Sequence, residues 1–313
     1  MARNSNGPKR DIAAEITAKI IARIEGGEDL PWRRPWRCSA LAQPLRSTGE
    51  PYRGINTLLL SLETMDRGFT SPYWMTYRQA KTLEAQVRKG ETSTQVVYYG
   101  TARKKGVDAV ETNPESSDDT YRFLKGFRVF NVCQIDGLPE TFFPVEDDLD
   151  TGARAIQPLD ALLRSVGVPI RDGGNRAAYR ELTDDIIIPE VSRFETAERY
   201  IAVGAHELIH ATGIKARLGR SCFADYHTDL AIRAEEELVA ELGSAFFCAP
   251  MGITPHHIDD HAAYLKSWLK RLKNDTRFIF KAAAQAQRAC DWLTAKADMS
   301  LLDHRAEAAV AAR

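Results

Sequence analysis

His206, Glu207 and His210 form an H-E-x-x-H motif in the second half of this 313-residue chain. If residues 196–212 are helical, the two histidines are four residues apart and their rings leave the same face of the helix. A divalent metal ion can then bind both rings, while Glu207 can take a proton from a metal-bound water without binding the ion itself. The motif therefore predicts the metal site of a zinc peptidase.

The residues around the motif favour a buried helix. Eight of them are uncharged: Val203, Gly204, Ala205, Leu208, Ile209, Ala211, Thr212 and Gly213. The structural alternative is a core helix whose two histidines are hydrogen-bonded. Such a helix has no need of a glutamate between its histidines in an apolar run, so the metal site is the preferred interpretation.

A catalytic zinc ion needs a third protein ligand and one open position for water. In the longer pattern H-E-x-x-H-x-x-G-x-x-H, a third histidine follows a glycine. Gly213 is present here, but Ala216 occupies the ligand position, so the metzincin pattern fails. A second predicted helix around residues 234–242 contains four glutamates that could supply the ligand instead.

The phase of this second helix selects among its glutamates. Glu237 and Glu241 flank the predicted buried stripe one turn apart, whereas Glu235 and Glu236 are expected to face solvent. We predict Glu237 as the third ligand and Glu241 as an acceptor that orients a histidine N–H group, an arrangement that resembles the gluzincins. Glu236 remains the alternative ligand if the helix is rotated by one residue. A solvated acidic face is the alternative to any metal site.

Composition indicates a soluble globular protein with room for two domains, since 44% of its residues are apolar and 27% are charged. No apolar run approaches the roughly 18 residues that a membrane helix needs. Residues 1–10 lack the apolar segment of a signal peptide, so we expect a cytoplasmic protein. The five cysteines have no C-x-x-C spacing and are predicted to be free thiols.

Charge is unevenly distributed along the chain. Residues 1–105 contain 18 Lys or Arg against 10 Asp or Glu, a balance of +8, while residues 106–150 contain 3 against 11, a balance of −8. This asymmetry predicts a basic nucleic-acid-binding domain at residues 1–137 and an acidic linker at 138–155. The metallopeptidase domain is expected at residues 156–313.

Hydrophobic periodicity predicts an α+β protein, with a small α+β domain followed by a mainly helical domain that includes a small sheet. Helices are expected near residues 11–25, 58–60, 76–86, 158–166, 196–212, 234–246, 264–272 and 278–297. Strands are expected near residues 94–99, 121–135 and 184–194, and a short strand or a turn is expected at residues 71–76.

Aromatic residues alternate with arginine in the basic part, and two prolines keep the segment at residues 31–37 out of a regular helix. Bases of single-stranded DNA stack on flat rings while cations follow the phosphates. The candidate DNA-binding residues are Trp32, Arg33, Arg34, Trp36, Tyr52, Arg53, Tyr73, Trp74, Arg88 and Lys89. The alternative is that the tryptophans belong to the core. No helix-turn-helix, zinc-finger or RNP signature is present, so duplex DNA could be bound only without sequence specificity.

Several separate stretches, in the same order, resemble one family along nearly the whole chain. They are residues 35–36, 52–56, 73–74, 79–80, 87–91, 129–134, 206–213 and 236–243. These residues resemble the ArdC-type antirestriction proteins of conjugative plasmids, which are related at their N-terminus to plasmid TraC primases.

The resemblance implies a domain that binds single-stranded DNA, a metallopeptidase-like domain that binds Zn²⁺ or another divalent ion such as Mn²⁺, and protection of plasmid DNA that enters a new host as a single strand. It leaves the protein substrate unknown. Two alternatives remain: a regulatory metalloprotease that cleaves a DNA-associated protein, and a DNA-coating protein whose metal domain is catalytically silent.

Overall fold

A computed structural model describes residues 11–27, 30, 43–103, 120–144, 156–226, 229–253 and 261–301, and it shows the expected α+β fold. The helices are α1 (Ile12–Glu25), α2 (Ile55–Arg67), α3 (Tyr77–Thr82), α4 (Ile156–Ser165), α5 (Ala197–Ala211), α6 (Ser221–Ala224), α7 (Leu230–Cys248), α8 (His261–Asn274) and α9 (Phe278–Lys296). The strands are β1 (Leu45–Arg46), β2 (Tyr73–Met75), β3 (Gln86–Val87), β4 (Thr94–Arg103), β5 (Thr120–Asn131), β6 (Ile135–Asp136), β7 (Ile170–Asp172), β8 (Ala178–Arg180) and β9 (Asp185–Ile188).

Within these ranges, no helix is long and apolar enough to cross a membrane. The four cysteines that fall there, Cys133, Cys222, Cys248 and Cys290, are free thiols as predicted, and Cys38 lies outside the described residues.

The first half of the chain forms a four-stranded sheet in the order β1-β2-β5-β4, with the short β3–β6 pair beside it. Strands β4 and β5 form a long antiparallel hairpin, and β4 continues to Arg103, beyond its predicted end at Tyr99. Strand β2 pairs only with the last two residues of β5, Phe130 and Asn131. The hairpin therefore extends past the rest of the sheet as a two-stranded ribbon.

Capping residues fix two of the predicted helix starts. The Asp11 carboxylate accepts the N–H groups of Ala13 and Ala14 at the start of α1. Thr76 and Gln79 form a reciprocal capping box at the start of α3, which satisfies backbone donors that the first turn leaves without partners. Both helix starts are confirmed.

Besides the end of β4, two more predicted element ends are wrong. The helix expected to reach Gln86 ends at Thr82, because Glu84 takes a left-handed φ of 59° and the chain then enters β3 and pairs with β6. The strand expected over residues 121–135 is interrupted, because the Asn131 side chain accepts the Cys133 N–H and turns the backbone into a short 3-10 helix. In both places a local side-chain or backbone geometry overrides the apolar pattern.

One apolar core contains residues from both halves of the chain. Ile16 and Ile20 of α1 belong to the same buried cluster as the interior faces of α5, α7 and α9. The Thr17 hydroxyl donates to the Thr276 carbonyl at 2.6 Å, and Lys273 Nζ pairs with Glu25 at 2.5 Å. Dividing the chain near residues 137 and 156 would therefore separate segments that share one core. The predicted domain boundaries at these residues stay a prediction.

The segment before α2 ties that helix to α9. Gly54 has φ 57° and ψ −131°, a backbone conformation open to glycine, and its N–H donates to Gln287 Oε1 at 2.8 Å. The neighbouring Arg53 pairs with Asp291, whose second oxygen accepts Gln287 Nε2 at 3.0 Å. Residues 52–56, one of the stretches that carry the family resemblance, therefore connect the two halves of the chain through these contacts with α9.

Helix α5 begins and ends where the sequence predicted, with Thr196 as its N-cap and Thr212 as its C-cap, and every residue from 200 to 211 is buried. The fit against its neighbours is close at two glycines. A Cβ atom at Gly204 would lie 2.7 Å from Leu163 of α4, and one at Gly243 of α7 would lie 2.8 Å from Ile209. These glycines let the helices that carry the motif approach one another.

Gly243→Ala is therefore expected to destabilise the protein. Overpacking costs about 1–3 kcal/mol, which exceeds the gain of about 1 kcal/mol or less that alanine brings to a helix interior. Urea unfolding of the metal-free protein measures the difference. The double variant Gly243→Ala/Ile209→Val should recover part of the loss, because it removes the nearest clashing carbon. A Gly243→Ala variant as stable as the wild type would contradict the close approach.

Candidate metal centre

Three buried side chains meet where α5 faces α7. His206 and His210 lie with their Nε2 atoms 3.0 Å apart, and Glu237 places its oxygens 3.5 Å from His206 Nε2 and 3.8 Å from His210 Nε2. All three residues are less than 10% exposed. They form a group whose candidate ligand atoms lie within 4.8 Å of one another.

This geometry fits a divalent metal ion. A tetrahedral ion with bonds of about 2.0–2.1 Å holds its ligand atoms roughly 3.3–3.5 Å apart, and the three measured separations bracket that spacing. Burial disfavours ionisation of Glu237, but hydrogen bonds from His206 and His210 outweigh it and lower the pKa of this carboxyl. The cluster is therefore a buried anion with two imidazole nitrogens beside it.

His210 is held by a buried ion pair. Its Nδ1 lies 3.2 Å from Glu236 Oε1, and Arg220 donates to both oxygens of Glu236, with Nε 2.9 Å from Oε2. Arg220 also donates to the Ile209 carbonyl at the end of α5. When the His210 Nδ1 proton is donated to Glu236, the Nε2 lone pair remains available to a metal.

The expectation that Glu236 faces solvent is wrong, since the residue is completely buried. Burial opposes its ionisation, but the hydrogen bonds to His210 and Arg220 lower its pKa. Burial lowers the pKa of His210, but hydrogen bonds to Glu236 and Glu237 outweigh it and raise the pKa to about 10, so metal binding has to displace a proton from this ring. Glu241, one turn after Glu237, is buried, and its role in orienting a histidine stays a prediction.

Glu207 is anchored by a neighbouring strand. Its Oε2 accepts the backbone N–H of Tyr179 in β8 at 2.7 Å, and the residue is 5% exposed. Among the described residues, no second group bonds to Glu207. One oxygen is thus fixed while the other is available to accept a proton, as the motif requires of a general base.

Tyr226 joins the cluster from the segment between α6 and α7. Its hydroxyl donates to Glu237 Oε1, and its ring contacts the His210 ring with centroids 5.7 Å apart. Burial, together with the nearby Glu237 charge, raises the pKa of Tyr226, so the phenol keeps its proton. Sequence reasoning missed Tyr226 and Arg220, because both lie outside any periodic pattern.

Within the described part of the chain, the candidate DNA-binding residues do not form one exposed surface. Tyr52 and Trp74 are buried in a small core with Phe69, whose ring meets Trp74 edge to face at 5.5 Å. They are core residues, and including them in an exposed stacking platform was wrong. Tyr73 is half-buried against Phe142.

The candidate cations are divided between ion pairs and solvent. Arg53 pairs with Asp291, as described above, and Arg88 pairs with Glu91 at 3.0 Å and with Asp136 at 3.3 Å. Lys89 is exposed. The remaining candidates, Trp32, Arg33, Arg34 and Trp36, lie outside the described residues.

The fold and the His–His–Glu cluster define a protein in which a mixed α+β module is followed along the sequence by a zincin-like domain. Family models match both parts: the N-terminal domain of the anti-restriction factor ArdC over residues 10–130, and a zincin-like metallopeptidase over residues 157–285. The protein y4eC of Sinorhizobium fredii is 38% identical over 290 residues, which cover 91% of this chain and 92% of that protein.

Two solved structures of the antirestriction ArdC protein from the R388 plasmid are similar over almost their whole length. The metal-free structure has 42% identity and a TM-score of 0.76, covering 91% of this chain and 97% of that chain. The Mn(II)-bound structure has 41% identity and a TM-score of 0.74, covering 92% and 99%. The chain belongs to the ArdC family of antirestriction proteins.

A DNA primase, TraC of Escherichia coli, is also related, with 34% identity over 302 residues. The match covers 92% of this chain but only 27% of the primase, so it relates the chain to one part of a much longer protein.

Proposed function

We propose that this antirestriction protein binds single-stranded DNA, protects plasmid DNA that enters a new host by conjugation, and hydrolyses a peptide bond at its metal centre. The observation that carries the peptidase part is the buried His206, His210 and Glu237 cluster with Glu207 anchored beside it. The Mn(II)-bound R388 structure supports a divalent ion, Zn²⁺ or Mn²⁺, as the cofactor.

The residues around the cluster have distinct chemical roles in this proposal. His206, His210 and Glu237 hold the ion, which supplies a Lewis acid and lowers the pKa of a bound water. Glu207, fixed at one oxygen by the Tyr179 N–H, accepts a proton at the other and returns it to the leaving amine. Tyr226 stays protonated and orients the Glu237 carboxylate through its hydroxyl.

The DNA part of the proposal is supported by the balance of +8 over residues 1–105 and by the relation to the TraC primase. A basic surface releases counterions when it neutralises phosphates, so binding should weaken as salt is raised. The proposed partner is single-stranded DNA, with duplex DNA bound only without sequence specificity.

Glu207→Gln tests the peptidase part. The substitution keeps the shape of the side chain but removes its basicity, so we expect unchanged metal content and hydrolysis lower by about 100- to 10,000-fold. Metal analysis and cleavage of a peptide library by the wild type and the variant measure the two effects. Glu195→Gln, the same change at an exposed residue, is the matched control.

Plasmid transfer into a restricting host separates the alternatives. If Glu207→Gln abolishes protection along with cleavage, hydrolysis is required for function. If protection is intact in Glu207→Gln but lost when DNA binding is removed, the protein acts as a DNA-coating protein and the peptidase part of the proposal fails.

A further inference from the structure

One face of the β4–β5 hairpin carries exposed aromatic rings. Directly paired residues of antiparallel strands place their side chains on the same face, and the register pairs Tyr98 with Lys125 and Gly100 with Phe123. Phe127 lies two residues beyond Lys125 and shares that face, because side chains alternate along a strand. We call Tyr98, Phe123, Lys125 and Phe127 the aromatic face.

The rings of the aromatic face contact one another. Tyr98 has its ring centroid 6.3 Å from that of Phe123 and 6.5 Å from that of Phe127, and Lys125 Nζ lies 5.0 Å from the centre of the Phe127 ring. A Cβ atom at Gly100 would lie 2.3 Å from the Phe123 ring, so the glycine makes room for it. The rings are thus held in place before any ligand arrives.

These rings contribute little to the core. Tyr98 is 56% exposed and Phe127 is 39% exposed, although Val96 at the base of the same face is buried. Side chains on the opposite face of the hairpin pack against the rest of the protein, where Val97 and Leu124 join the main core. The Asn56 side chain of α2 also bonds to both the N–H and the C=O of Val97 at 2.8 Å. A contiguous exposed apolar patch on a folded element marks an interaction site.

Charge selects the partner. Strands β4 and β5 contain no Asp or Glu, and Lys125 is the cation of the aromatic face. A polyanion is therefore attracted to this lysine, whereas an apolar protein surface without acidic residues would gain nothing from its charge. Flat rings next to cations are the combination that binds bases and phosphates of a single strand.

We propose that bases of single-stranded DNA stack on the exposed rings of Tyr98 and Phe127 while Lys125 contacts a phosphate, an inference that rests on the proposed single-strand binding. The aromatic face contains none of the residues that composition first suggested. It becomes visible only when the register of the hairpin is known.

The test uses the full chain and two fluorescent probes of equal length and charge, an oligothymidylate and an abasic deoxyribose-phosphate strand. We expect the wild type to bind the oligothymidylate more tightly, because the abasic strand has no bases to stack. Tyr98→Ala and Phe127→Ala should each weaken oligothymidylate binding about 5- to 100-fold and leave the abasic strand almost unaffected. Lys125→Gln should lower the slope of log affinity against log salt by about 0.7.

Matched controls are present in the chain. Tyr77 is 49% exposed and has Lys81 Nζ 6.0 Å from its ring centre, so Tyr77→Ala removes a similar ring from α3. Lys296, exposed on α9, is the control for Lys125. Both controls should bind as the wild type does, and thermal unfolding should show that every variant is folded.

Each other outcome overturns the inference in a recognisable way. Equal oligothymidylate binding by the wild type and the Tyr98→Ala/Phe127→Ala variant would place the DNA site elsewhere and leave the proposed function intact. Equal binding of the two probes by the wild type would exclude stacking. A change of oligomeric state in the double variant, with unchanged DNA binding, would make the face a contact between copies of the chain. A wild type that binds neither probe would overturn the DNA part of the proposed function as well.

Discussion

Glu237→Ala is expected to lower the affinity of the protein for Zn²⁺ or Mn²⁺ by more than 100-fold. Groups that only orient a metal ligand contribute about 10- to 100-fold to affinity, so a residue that binds the ion itself should exceed that range. The carboxylate is buried beside His206 and His210 and is the anionic member of the cluster. Without it, two neutral rings would have to hold a divalent cation in a buried site.

Isothermal titration of the metal-free protein, with metal analysis after dialysis, measures this loss. The matched control is Glu235→Ala, which removes the same charge from the same helix at a residue that pairs with Arg271 near the surface. The control should bind metal as the wild type does. If Glu237→Ala kept wild-type affinity and Glu241→Ala lost it, Glu241 would be the ligand and the assignment from helix phase would be wrong.

Glu236→Ala is expected to reduce the free energy of unfolding by about 3–5 kcal/mol, because it leaves the buried Arg220 guanidinium without its counter-charge. Arg220 is 3% exposed and Glu236 is fully buried. The penalty arises from the unpaired charge, not from the small volume that is lost. Urea unfolding in the presence of a chelator measures it without any contribution from metal binding.

Replacing both partners distinguishes this cause from general damage to the core. Arg220→Met/Glu236→Leu removes the two charges together and should be more stable than Glu236→Ala alone, since apolar residues often replace a buried ion pair without loss. Glu235→Ala, which breaks a partly exposed pair, should change stability by about 1 kcal/mol or less. A Glu236→Ala variant no less stable than Glu235→Ala would contradict the buried pair.

The metal cluster was predictable because its signals are local. The four-residue spacing of His206 and His210 and the apolar stripe of α7 that places Glu237 both follow from helix periodicity. Arg220 was not predictable, because it reaches Glu236 from a segment with no periodic pattern. The same tertiary contact explains why Glu236, placed near solvent by the helix phase, is buried.

The aromatic composition of the basic part was a weaker indication of which rings are exposed than the register of the paired strands. Trp74 and Tyr98 are both aromatic residues of the basic part, yet Trp74 is 1% exposed and Tyr98 is 56% exposed. Only the pairing of β2 with the end of β5, and of β4 with the rest of it, decides which ring is covered. Strand pairing depends on contacts between distant residues, which a linear pattern does not contain.

The contact between α1 and the start of α9 has a consequence for biosynthesis. Thr17 meets Thr276, 259 residues later in the chain, and the buried cluster that contains Ile16 and Ile20 also contains residues of α8 and α9. At roughly 5–20 residues per second, a ribosome needs roughly 13–50 seconds to make the intervening segment. During that interval Ile16 and Ile20 lack their partners from α8 and α9, so the core that contains them can be completed only when translation is nearly finished.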